Sequence, residues 1–158
     1  MKADWKWYGN AGHFICAQWC EFHLCTEVGA FLVSTVGQYM PPESVREILA
    51  QSRGVSLEGK GDARLADYHK KIGYEKLGFE RTFETMVFRI GADRCTRSDC
   101  NCGLPDFYGK ELEMIPYNQA GDANTGHLAM CEKYDNLPVQ RGNSCGGLTA
   151  PASAPREK

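Results

Sequence analysis

Cysteine and histidine account for twelve of the 158 residues: eight cysteines and four histidines. Ten of the twelve fall in two groups. The first is His13, Cys16, Cys20, His23 and Cys25, and the second is Cys95, Cys100, Cys102, His127 and Cys131. Thiolate and imidazole are the side chains that best hold borderline metals, and a thiolate is also a strong nucleophile. The grouping therefore points to metal binding or to thiol chemistry.

The second group has the order of a zinc site. Cys95-x4-Cys100-x-Cys102 lies in a proline-broken stretch, and His127-x3-Cys131 has helical spacing that aims both side chains the same way. A loop giving thiolates beside a helix giving a histidine and a cysteine closes a tetrahedral zinc site, and four of these five groups suffice. Gly103 suits the tight turn that follows Cys102. The expected ion is zinc, in a structural role, because enough protein ligands are present to close the site. It would order residues 92–134, where apolar residues are few. The competing reading makes His127 and Cys131 ordinary members of an apolar helix stripe.

The first group is denser and admits three readings. In one, two or three of these groups bind a second metal; in another, they are ordinary core residues. In the third reading Cys25 or Cys20 is a nucleophile activated by His23 or His13, with Glu27 orienting the imidazole. The catalytic candidates on this reading are His13, His23, Cys25 and Glu27. Cys16-x3-Cys20-x2-His23 has the spacing of the radical SAM cluster triplet with histidine in third place, but the chain is too short for the barrel those enzymes need. The H-x-E…P-C-x-x-C, H-E-x-x-H, G-x-x-x-x-G-K-[ST], G-x-G-x-x-G and G-x-S-x-G patterns are all absent.

These side chains must be positioned by elements that the residue periodicity suggests. Phe22, Leu24, Thr26 and Val28 alternate with His23, Cys25 and Glu27, the period of a half-buried strand. Residues 30–36 predict a second strand, and residues 80–90 a third. Residues 55–58 suit a short fourth. Pro41-Pro42 is a stop, after which Ser44 and Glu47 fit a capping box for a helix over about 44–51. Asp62 caps a helix with Leu65, Tyr68, His69 and Ile72 on one face, ending at Gly73. Asn118 opens a helix to about Tyr134, with Ala123, His127, Met130, Cys131 and Tyr134 on one side. Residues 1–12 read as an irregular aromatic segment, 92–117 as loop, and 135–158 as a polar tail.

Strands adjoining in sequence favour an α+β domain over 1–134 with a small, mostly antiparallel sheet. The length suits one domain. The net charge of −2 provides no global basic field for a polyanion. The basic and aromatic stretch of Tyr68, Lys70, Lys71, Tyr74, Lys76, Phe79 and Arg81 keeps nucleic acid open as a partner, though a protein partner is favoured. No run approaches the roughly 20 apolar residues of a membrane span. The N-terminus lacks the apolar run of a signal peptide. Eight cysteines without such a signal suit the reducing cytoplasm better than a disulfide scaffold. The leading expectation is a small zinc-binding protein that acts through an interaction surface. The alternatives are a metal- or cysteine-dependent hydrolase or transferase, and a zinc-containing nucleic-acid or virion-associated module.

Overall fold

The structure, a computed structural model, describes residues 4–9, 17–77, 80–96, 100, 102–107 and 110–137. Within them the chain is α+β, with a six-stranded antiparallel sheet and three α-helices. The strands are β1 (Trp5–Tyr8), β2 (Cys20–Val28), β3 (Phe31–Tyr39), β4 (Phe83–Arg94), β5 (Pro105–Phe107) and β6 (Glu113–Tyr117). The helices are α1 (Glu43–Ser52), α2 (Asp62–Lys71) and α3 (Ala120–Asp135). The order across the sheet is β1-β2-β3-β4-β5, with β6 also paired to β4.

Register decides everything that follows. Thr26 pairs with Val33 and Cys25 with Ser34; Val33 pairs with Val87 and Thr35 with Thr85. Opposed residues share a face and neighbours in sequence take opposite faces. One face, here the front, carries Trp7, Thr26, Val28, Phe31, Val33, Thr35, Thr85 and Val87. The back carries Tyr8, His23, Cys25, Glu27, Leu32, Ser34 and Phe88. The alternation expected for residues 22–28 is thus the observed one. The long apolar run of β3 follows from burial on both sides, as in strands with no solvent face.

Helix α3 covers the front. Met130, Cys131 and Tyr134 pack on Val28, Phe31, Val33 and Val87, with Trp5 and Ile115 at the margin. The back is covered in part by the loop between β4 and β5, where Cys102 and Leu104 pack on Cys25 and Leu32. Helices α1 and α2 form a small cluster of their own around Met40, Ala50 and Tyr68, with Leu65 and Ile72 against it.

Several local expectations are corrected. Helix α1 starts at Glu43 behind Pro42, and α2 starts at Asp62 behind Gly61; neither has a side-chain cap. Pro42 already sets φ near −59°, which pre-organises the first turn without the serine. Helix α3 begins at Ala120 rather than at Asn118. The N-terminal aromatics Trp5–Tyr8 form an edge strand, because β2 offers its free edge to them. Residues 55–58 are not a strand. The stretch 92–117 is not wholly loop: it contains the end of β4, all of β5 and all of β6. The boundary expected at 92 falls inside β4, to which β5 and β6 both pair. Residues 138–158, most of the expected tail, lie outside the described residues.

Gly37 shows how closely the front face is packed. A Cβ there would lie 2.0 Å from the Phe83 ring, which is itself buried and held edge-on against Phe22 at 5.2 Å between centroids. The ring has no room to retreat. Gly37→Ala is expected to cost roughly 1–3 kcal/mol, read as a lower denaturation midpoint with an unchanged slope.

Candidate metal centre

The β4–β5 connection builds the cysteine site. Strand β4 ends at Arg94, whose guanidinium grips Glu27 on β2 through two contacts of 2.6 and 2.9 Å. The same guanidinium donates to the Tyr8 hydroxyl at 2.7 Å, and Tyr8 donates to Glu27. The loop's root is therefore tied to two neighbouring strands immediately before Cys95. The Cys95 amide then donates to the Leu104 carbonyl at 2.9 Å, closing the loop at its base. Gly103 has φ +63°, a left-handed conformation that costs glycine little and lets the chain turn back after Cys102.

Within that loop the sulfurs of Cys95, Cys100 and Cys102 all lie within 4.8 Å of one another. With Zn–S bonds of ~2.3 Å, tetrahedral geometry sets sulfurs about 3.8 Å apart. The three sulfurs thus need to draw in by about 1 Å or less. None of the three is in a disulfide, nor are Cys20, Cys25 and Cys131. Cys102 is buried; Cys95 and Cys100 are half-buried. Hydrogen bonding with Cys102 is the main cause that raises the Cys100 thiol to about 11, with burial second. A bound cation would favour release of that proton.

His127 and Cys131, expected in the same site, are elsewhere. Both project from α3 onto the front of the sheet, whereas the cysteine loop lies on the back. The sheet stands between them, so no single ion is shared. His127 is fully buried and both ring nitrogens are engaged: Nε2 lies 2.8 Å from Thr26 Oγ1 and Nδ1 lies 2.8 Å from Thr35 Oγ1. Thr35 continues to Thr85 at 2.6 Å. The Trp7 ring packs over the imidazole at 5.6 Å between centroids. Burial alone lowers the His127 pKa to about 4, so the ring is neutral. Cys131 is fully buried, and burial pushes its thiol up to about 11, against a hydrogen bond with Thr26. The pair belongs to the core.

The N-terminal candidates divide as well. His13 and Cys16 lie outside the described residues. His23, Cys25 and Glu27 share the back face as expected, but they form no relay. Glu27 is held by Arg94 and Tyr8, and the Arg94 hydrogen bonds keep its carboxylate ionised below the usual range. Burial is the main reason that Tyr8 is raised to about 12, with Glu27 adding to it. His23 Nε2 faces the Gly9 carbonyl at 3.5 Å, and its buried Nδ1 has no hydrogen-bond partner among the described residues. Cys25 is buried, and burial pushes its thiol up to about 12, with Cys102, Cys131 and Glu27 adding to the rise. A nucleophilic cysteine needs the reverse, a lowered pKa and an open approach.

In the basic and aromatic stretch Phe79 lies outside the described residues, and several of the others make contacts within the fold. Tyr68 is buried and donates to Glu75; Lys71 pairs with Asp67 at 3.0 Å; Lys76 donates to Thr82.

Sequence reasoning missed the Arg94–Glu27–Tyr8 tie and the threonines around His127. Arg94 stands beside Cys95 in the chain, but its partners are more than sixty residues away. Arg94→Ala is expected to cost roughly 1 kcal/mol, since the pair is half exposed. It should also speed amide exchange at Cys95 and Cys102 more than in β3.

Comparison with models of known protein families, with curated proteins and with solved structures finds no match. No helix among the described residues is long and apolar enough to cross a membrane.

Proposed function

We propose that the protein is a small metal-binding protein whose β4–β5 loop holds one thiophilic divalent ion, zinc in the first place, through Cys95, Cys100 and Cys102. The observation that carries the reading is the convergence of three cysteine sulfurs within 4.8 Å in a loop closed at its base. Thiolate donors select zinc over the hard cations magnesium and calcium, which take oxygen ligands. The role is structural: the ion sits where a loop with few apolar side chains meets the sheet, and it supplies cohesion that packing does not. Function then falls to the exterior, as a contact surface for a protein partner in a reducing compartment such as the cytoplasm. The depressed pKa and open approach of a thiol enzyme are lacking at Cys25, which weighs against the catalytic alternative.

Elemental analysis of protein purified without added metal tests this. One zinc per chain is expected, lost in a Cys95→Ser, Cys100→Ser, Cys102→Ser triple variant and kept in His127→Gln. A full chain that takes up no zinc at micromolar free metal refutes the reading.

A further inference from the structure

We propose that Cys25, on the sheet beneath the loop, is the fourth sulfur ligand of the same ion, so that the metal bolts the β4–β5 loop to β2. The proposal rests on the metal reading of Cys95, Cys100 and Cys102. A structural zinc site closes with four protein ligands, and the loop supplies three. The fourth must come from what the loop lies on.

Among the described residues the back face offers few donors there. Glu27 already accepts two hydrogen bonds from Arg94 and one from Tyr8. His23 is two residues further along β2, with its Nε2 turned to the Gly9 carbonyl. Cys25 packs in one cluster with Cys102, Leu104 and Leu32, and Cys95 and Cys100 flank that cluster. It is 3% exposed, so it faces the loop rather than solvent. Its sulfur lies outside the 4.8 Å triangle of the other three, so coordination would draw the loop down onto the strand. Four thiolates around a divalent ion leave an excess of two negative charges. Arg94 precedes Cys95, and Lys6 projects from β1 on the same face, its ammonium 4.9 Å from the Tyr8 ring centre. Cations so placed offset that excess. Binding is a ligand exchange: each thiol gives its proton to buffer as its sulfur takes up a bond to the ion, with no change of oxidation state.

The test is titration of the reduced full chain with cobalt(II) and with zinc. The intensity of the sulfur-to-cobalt charge-transfer band reports the number of thiolates, and calorimetry in buffers of different ionisation enthalpy counts protons released. Four thiolates and four protons are expected. Cys25→Ala should give three of each and weaken binding by more than the roughly 10–100-fold that loss of an outer-shell partner costs. His23→Gln should match the parent. Three thiolates and three protons in the parent overturn the role of Cys25 while leaving the loop site standing, and this holds even if Cys25→Ala does not fold. Equal counts in parent and Cys25→Ala, or a lost ligand in His23→Gln, overturn it too. A parent chain that binds neither ion defeats the loop site and this proposal together.

Discussion

Acidification from pH 7 to pH 4 is expected to remove roughly 3 kcal/mol of stability through His127 alone. Its pKa is about 4 in the folded chain, against 6.5 for the unperturbed group. Between those values the unfolded chain binds the proton and the folded chain does not. The contribution of this group is therefore complete above pH 6.5 and is lost as pH falls towards 4. Burial sets that shift, and the hydrogen bonds of the ring also suit its neutral form. A neutral imidazole donates from one nitrogen and accepts at the other. It therefore matches Thr26 and Thr35 with one hydroxyl accepting and one donating. Protonation makes both nitrogens donors, so whichever hydroxyl donated must turn, which disturbs either the Thr26–Cys131 or the Thr35–Thr85 contact. Urea melts of the metal-free chain at stepped pH check this. His127→Gln should flatten the slope between pH 6.5 and 4 relative to the parent. The parent's remaining acid sensitivity should lie lower, where Glu27 and Glu113, both held below the usual carboxylate range by hydrogen bonds from Arg94 and Lys133, take up protons. His127→Ala is expected to cost about 3 kcal/mol, from the cavity and from two hydroxyls that each lose one of their partners. If parent and His127→Gln lose stability in parallel over that range, the buried neutral histidine is not what the acid attacks.

Metal removal is the second large effect. Apparent binding free energies of structural zinc reach roughly 10–16 kcal/mol in peptides that fold around the ion. Here the sheet and α3 share an apolar core of their own, so only part of that energy is expected to appear as global stability. Chelation is expected to shift the midpoint of the zinc-loaded chain by several kcal/mol, scaling with free zinc as mass action requires. Amide exchange should localise the change. Cys95, Cys102 and Leu104 should lose protection first, while Val33 and Val87 under α3 hold until global unfolding. A uniform loss across both faces would mean that the ion is not a staple of the loop. Affinity should also rise with pH, because a cysteine binds the ion as thiolate and metal binding releases protons.

Much of the architecture was legible because it depends on local periodicity. The alternation in residues 22–28 assigns Thr26 and Cys25 to opposite faces whatever they meet there. The stripe Ala123, His127, Met130, Cys131 and Tyr134 names the buried side of α3 in the same way. Strands β1, β5 and β6 were not legible. Each is short and pairs with a partner distant in the chain, so its residues carry little signal of their own.

The candidate site divides along the same line. Cys95, Cys100 and Cys102 lie within eight positions of one another, and one closed loop is enough to bring their sulfurs together; sequence alone determined that much. It could not determine on which side of the sheet that loop would fall. The β4–β5 connection folds to the back and α3 crosses the front, so His127 and Cys131, right in type and in spacing, are cut off from the thiols by a layer of backbone. Proximity along the chain is a local property. The side of a sheet on which an element packs depends on pairing with strands far away in sequence, and only the tertiary structure decided it.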